Sequence, residues 1–218
     1  LRTFNRNFEG RSGTADGQIY LDGAEKLSLT EFDKLKRTEH GVICGIDEAG
    51  RGPLAGDVYA AAVIFDEGTV IEGINDSKKL SQKKREKLYT EIREKARAYC
   101  VATATVAEIE ELNILNAAML AMKRAYEGLG IKAELILVDG NCRPPIDGNV
   151  EAVVKGDAKS ASIAAASILA KVERDRYMQR LAEQYPQYGF EKHAGYATAA
   201  HYAAVDEYGL CPVHRPSF

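Results

Sequence analysis

Apolar and polar positions fall in blocks along the chain, and the period of each block predicts its element. Phe32 and Leu35 mark one face of a short helix over 27–37, with Ser28 or Thr30 placed to cap it. The unbroken run Gly41-Val-Ile-Cys-Gly-Ile46 predicts a buried strand that stops at Asp47-Glu48, ahead of the turn Gly50-Arg-Gly-Pro53. A second apolar run over 58–65 follows through a connection too short for a crossover helix, so the two should pair antiparallel. Next come a charged helix over 78–97, with Leu80, Leu88 and Ile92 near helical spacing, and a β-rich strand over 99–106. One helix over 109–129 ends at Gly130, and a short strand over 134–138 stops at Asp139. A fifth strand over 150–154 and a long helix over 158–185 complete the regular part, before a tail of turns with one helix around 198–208. The pattern implies an α/β architecture, a mixed sheet covered by helices with a C-terminal helical appendage over about 186–218.

Composition adds limits. A chain of 218 residues with 45% hydrophobic content can bury one full core. Residues 1–27 mix Arg, Asn, Gly, Ser and Asp without an apolar period and are expected to be a flexible or loosely packed extension before a domain over 28–218. No apolar run approaches the roughly 18 residues of a membrane span, and the opening residues lack a signal pattern, so a soluble, cytoplasmic protein without a membrane partner is expected, with a monomer as the default state. Cys44, Cys100, Cys142 and Cys211 are scattered without a C-x-x-C pair, which disfavours a zinc site or a disulfide framework. With a formal net charge of -3, nucleic-acid binding requires a local basic surface.

The acids carry the chemical signal. Asp47 and Glu48 end the first strand, Asp139 ends the fourth, and Asp157 follows the fifth and opens the long helix, so all four can face one end of the sheet. An acid at a strand end is about as often a helix cap or a solvated turn residue, and Asp157 is well placed as a cap. Two adjacent charges between an apolar strand and a glycine turn ask for more. Carboxylates crowded together raise one another's pKa unless a cation compensates, and oxygen-only donors favour Mg2+ or Mn2+. A pair of such ions suits in-line hydrolysis of a phosphodiester.

Gly50, Arg51 and Gly52 allow close backbone approach to a ligand, although a plain hairpin turn explains the glycines equally well. Lys78, Lys79, Lys83, Lys84 and Arg85 form a basic run, and Lys171, Arg174 and Arg176 add charge on the long helix, which can track a phosphate backbone or simply be solvated. Tyrosines of the tail, Tyr196 among them, interleave with His193, His201 and His214, a mixture suited to stacking on sugars or bases and equally to core packing. His193 is a candidate proton shuttle. No Walker-type phosphate loop occurs.

Taken in order, Gly45-Ile-Asp-Glu-Ala-Gly-Arg-Gly-Pro-Leu-Ala-Gly56, Asn75-Asp-Ser-Lys-Lys-Leu80, Val138-Asp-Gly-Asn141, Lys155-Gly-Asp157 and Ser162-Ile-Ala-Ala-Ala-Ser-Ile-Leu-Ala-Lys171 resemble bacterial ribonuclease HII. The resemblance covers about 41–218, including Gly195-Tyr-Ala-Thr198, with Ala where the family commonly has Gly, and His214-Arg-Pro-Ser-Phe218. It implies a ribonuclease H-like fold with a five-stranded mixed sheet, and an endonuclease acting on RNA–DNA hybrids and on duplex DNA containing ribonucleotides. Cleavage 5′ of the ribonucleotide would leave a 3′-hydroxyl and a 5′-phosphate. The family's metal-binding acids fall on Asp47, Glu48, Asp139 and Asp157, with Asp175 ranked below Asp157. Its ribose-sensing group falls on Gly50, Arg51, Gly52 and Tyr196, and Lys78 and Lys171 are expected on the substrate's phosphates. Ribonuclease HIII, the rival reading, lacks this Gly-Arg-Gly plus Tyr signature. A duplex-binding protein on a decayed nuclease fold would lack an acid, and all four are present.

Overall fold

The computed structural model describes residues 27–75, 77 and 80–218, so the expected extension over 1–27 lies, but for Leu27, outside the described residues, as do Asp76, Lys78 and Lys79. Helix α1 (Leu29–His40) starts at Ser28 in a reciprocal capping box with Glu31. Strands β1 (Ile43–Ala49) and β2 (Val58–Phe65) form the expected antiparallel hairpin. Helix α2 (Gln82–Lys95) runs directly into β3 (Ala96–Ala104), which begins earlier than its β-branched residues suggested.

The single helix expected over 109–129 is two: α3 (Val106–Leu112) and α4 (Ile114–Glu127). Asn113 breaks them, because its φ of +67° cannot continue a helix and its side-chain carbonyl caps Leu115 and Asn116 instead. Strands β4 (Leu135–Asp139) and β5 (Val150–Val153) precede a 3₁₀ turn (Gly156–Ala158) and the long helix α5 (Ala161–Gln184). A second 3₁₀ turn (Pro186–Tyr188), α6 (Phe190–His193) and α7 (Ala199–Tyr208) form the C-terminal appendage.

The sheet order is β3-β2-β1-β4-β5, with β1–β2 and β2–β3 antiparallel and β1–β4 and β4–β5 parallel. Side chains alternate between its faces. Val58, Ala60, Ala62 and Ile64 of β2 pack with Cys44 and Ile46 of β1 against α3 and α4, whereas Ala61, Val63 and Phe65 turn to α2 and α5. Each fully buried branched side chain among them contributes roughly 1.5–3 kcal/mol of transfer free energy.

Helix α5 lies close on β1 because its first turns are Ala and Ser and the strand offers Gly45. A Cβ at Gly45 would sit only 2.2 Å from the Ser162 carbonyl carbon. Asp33 of α1 caps the same helix from outside, its buried carboxylate accepting from the Ser162 amide at 2.8 Å and hydroxyl at 2.6 Å. The start of α5 is thereby tied to both α1 and β1.

Candidate active site

Positions 43, 45 and 47 of β1 face α5, and so do 135, 137 and 139 of β4 by the same alternation. The parallel register aligns Ile46 with Val138, which puts Asp47 beside Asp139 at the ends of neighbouring strands. Asp47 is 5% exposed. Its carboxylate accepts from the Glu48 amide at 2.7 Å and is also bonded by the Ser167 hydroxyl of α5. Burial pushes its pKa well above the usual range, and the neighbouring Glu48 and Asp139 charges push it further.

Asp139 is held in turn by the segment after β5, accepting at Oδ1 from the Gly156 amide at 2.6 Å and, more loosely, from the Asp157 amide at 3.4 Å. Asp157 is itself buried on the 3₁₀ turn. It is not the cap of the long helix that its position suggested, because Ser160 fills that role by accepting from Ile163. Lys155, at φ +55°, makes the tight reversal that brings this turn back to the sheet.

A cleft of about 200 Å³ opens beside Asp47 and Glu48, lined also by Gly50, Arg51, Gly52, Ser77, Ser167, Lys171, Arg174 and Tyr196. Arg51 reaches back to Glu48 at 3.2 Å, and Lys171 pairs with Asp175 one helical turn along. A larger groove of about 790 Å³ lies elsewhere, on α2, bordered by Lys83, Lys84, Lys87 and Lys95. Among the described residues no three His, Cys, Asp or Glu side chains already close around one point as metal ligands. The donor chemistry nevertheless fits hard divalent cations: a buried carboxylate flanked by two more acids, with hydroxyls and amides as its other neighbours.

Two buried arginines hold the loop that borders the cleft, Arg174 at 1% exposure and Arg215 at 2%. Arg215 donates to the carbonyls of Gly50 (2.7 Å), Arg51 (3.1 Å), Pro53 (2.8 Å) and Gly56 (2.6 and 2.8 Å). Arg174 donates to those of Ala55, Asp57 and Ala194, each at 3.2 Å. Ala194 leads into Gly195 and Tyr196, and the Leu54 amide bonds the Gly195 carbonyl at 2.8 Å, so the Gly50–Gly56 loop and the Tyr196 turn form one unit.

Two imidazoles complete that unit. The Cys211 amide donates to His214 Nδ1 at 2.9 Å, which leaves the His214 proton on Nε2 to bond His201 Nε2 at 3.0 Å. The His201 proton then sits on Nδ1 and bonds the Tyr196 carbonyl at 3.0 Å. Both rings are buried, and burial holds both below the usual histidine pKa.

A family model for ribonuclease HII matches residues 44–218. The chain belongs to the ribonuclease HII family. Ribonuclease HII of Dechloromonas aromatica is 64% identical over 178 residues, 82% of this chain and 91% of that one. The Marinomonas enzyme is 60% identical, over 81% of this chain and 89% of its own. Among solved structures, ribonuclease H2 of Pyrococcus horikoshii superposes with a TM-score of 0.69 at 30% identity, covering 81% of this chain and 93% of that one. Bst-RNase HIII in complex with Mn2+, at 20% identity and a TM-score of 0.68, shares the fold. The architecture is therefore ribonuclease H-like, and membership of ribonuclease HII makes the chain an RNase H endonuclease acting on RNA–DNA duplexes.

Arg174 is no phosphate-tracking surface charge but a buried partner of backbone carbonyls. Arg176 pairs with Glu86 at 2.7 Å and covers the Tyr89 ring. His193 has no free nitrogen for a proton shuttle, because Nε2 bonds the Tyr188 carbonyl at 2.9 Å and Nδ1 accepts from Gly195 at 3.3 Å. Tyr188 and Phe190 are core, whereas Tyr196 is 45% exposed at the cleft. Lys78 lies outside the described residues. Ser77 and Ser167, whose hydroxyls meet at 2.9 Å beside Asp47, were not singled out as site residues; the apolar helix period around Ser167 hides them.

Proposed function

We propose that this ribonuclease HII incises duplex DNA 5′ of an embedded ribonucleotide, as well as the RNA strand of hybrids, leaving a 3′-hydroxyl and a 5′-phosphate. The observation that carries the reading is the buried Asp47, beside Asp139 in the parallel register and next to Glu48, at the mouth of a cleft ending in Tyr196. Asp47, Glu48, Asp139 and Asp157 would hold two divalent cations, Mg2+ or Mn2+, which when bound supply Lewis-acid activation of water and charge for the departing 3′-oxygen. The protein contributes position. Packing of β1 on α5 fixes Asp47, and the Gly156 amide fixes Asp139. Lys171 faces the same cleft as a phosphate-neutralising cation, with Lys83 and Lys84 on α2 for the duplex backbone and Lys78 a few residues before them in sequence.

Sugar recognition falls to Gly50, Arg51, Gly52 and Tyr196, whose backbone and ring can meet a 2′-hydroxyl and stack on a sugar. The test is incision of a labelled duplex carrying one ribonucleotide, with Mg2+ or with EDTA, by the native chain, Asp47→Asn and Asp157→Asn. Metal-dependent incision 5′ of the ribonucleotide that both variants lose supports the reading. A native chain that binds the duplex and leaves it intact would sink it.

A further inference from the structure

The loop proposed to read the sugar has an inside and an outside, and the inside is fully accounted for. The Arg215 guanidinium takes the carbonyls of Gly50 and Arg51 from below, and its own amide donates to the Leu54 carbonyl at 2.8 Å. The chain contains no cis peptide among the described residues. In a trans peptide the C=O and the following N–H point in opposite directions. Capture of the Gly50 carbonyl therefore turns the Arg51 N–H away from Arg215, and capture of the Arg51 carbonyl does the same for the Gly52 N–H. Both residues line the cleft, and neither amide has an acceptor among the described residues. The next usable amide confirms the sense: the Pro53 carbonyl also points to Arg215, and the Leu54 N–H on its far side bonds Gly195.

Such a loop cannot hold itself. Gly50 and Gly56 have φ values of +101° and +85°, and glycine-rich backbone is costly to order. We propose that Arg215 is a positioning residue for sugar discrimination: its planar, five-donor fork holds two adjacent peptides so that the Arg51 and Gly52 amides stand as a preformed donor pair toward the substrate ribose and its phosphate. Lysine cannot reproduce this, because one ammonium centre has no fork to span carbonyls on both sides of the loop. Phe218 closes the guanidinium from the other side, its ring centroid 5.0 Å away.

The proposal rests on the sugar-sensing role given above to Gly50–Gly52, and the experiment separates the two. Incision would be measured on two duplexes, one with a single ribonucleotide and one with a 2′-fluoro sugar at that position, for the native chain and Arg215→Lys. The native enzyme should prefer the ribonucleotide strongly, and Arg215→Lys should lose roughly tenfold or more of that preference. Half-saturation by Mn2+ should stay unchanged, since no acid is touched. A native enzyme indifferent to the 2′-group overturns the sensing reading itself. A preference retained in full by a folded Arg215→Lys, beside a discriminating native enzyme, overturns the assignment to Arg215 alone.

Should Arg215→Lys fail to fold, nitrogen-15 NMR of the native chain decides. The clamp requires individually resolved, slowly exchanging Arg215 guanidinium protons, and Arg51 and Gly52 amides that are solvent-exchangeable when free and protected by the ribonucleotide duplex. A freely rotating guanidinium, or amides blind to the duplex, would end the proposal.

Discussion

The contact of β1 with α5 sets the position of Asp47, and Gly45→Ala is the smallest change that attacks it. The new Cβ would lie 2.2 Å from the Ser162 carbonyl carbon, 2.4 Å from the Ile163 nitrogen and 2.5 Å from the Ser162 oxygen. Ordinary contacts of this kind are roughly 3.5–4.0 Å, so strand and helix must part by roughly 1–2 Å. All three obstacles are backbone, with no side-chain tip to swing aside. Overpacking typically costs about 1–3 kcal/mol, and the upper end applies here. For a domain of this size that is a fall in Tm of about 6–12 °C. Displacement by an ångström at the metal-holding acids should also lower the incision rate by roughly 10²-fold. Thermal melting and single-turnover incision check both. Gly68→Ala is the control, since its Cβ meets nothing within 4 Å and it bears only the strain of a φ of +80°, about 1–2 kcal/mol. A Gly45→Ala enzyme that melts and incises like the native chain would refute the account of how Asp47 is held.

The buried ionisable groups give the remaining outcomes. Asp47→Asn should abolish incision yet stabilise the metal-free protein, because it removes a buried carboxylate crowded by Glu48 and Asp139. Since Asp47 keeps its proton in the fold to a higher pH than in the unfolded chain, native metal-free stability should fall as pH rises above the ordinary carboxylate range, and Mn2+ binding should release protons and tighten with pH. Melting curves in EDTA and calorimetric titration would show both, and a less stable Asp47→Asn would contradict the argument. For the His201–His214 pair the sign is opposite: both titrate lower in the fold than when unfolded, so stability is complete above about pH 6.5 and declines on acidification below it. His201→Ala should cost about 1–3 kcal/mol by leaving the His214 Nε2–H buried without an acceptor, and should flatten that acid limb in urea titrations against pH.

Much of the sheet and the acids was legible because both rest on local rules. Unbroken apolar runs over 43–46 and 135–138 announce buried strands, and charge at their ends is conspicuous against them. Element edges moved where a single side chain overrode the period, as Asn113 did by splitting one expected helix and Ser160 by taking the cap expected of Asp157. The carbonyl clamp was invisible for a different reason. Arg174 looks like one more charge on a helix, and Arg215 like a residue of an irregular tail, until the fold brings both beneath a loop far away in sequence. The order β3-β2-β1-β4-β5, which alone sets Asp47 beside Asp139, is likewise a property of long-range packing.

The return of residues 211–218 to the hairpin loop has a bearing on how the chain is made. Synthesis is vectorial, and Asp47, Glu48, Asp139 and Asp157 all leave the ribosome before Arg174, and well before Arg215. The Gly50–Gly56 segment therefore emerges long before the guanidinium that orders it. The acids of the charged centre are thus synthesised first, and the loop beside them can take up its ordering contacts only once Arg215 has been made and has folded back beneath it.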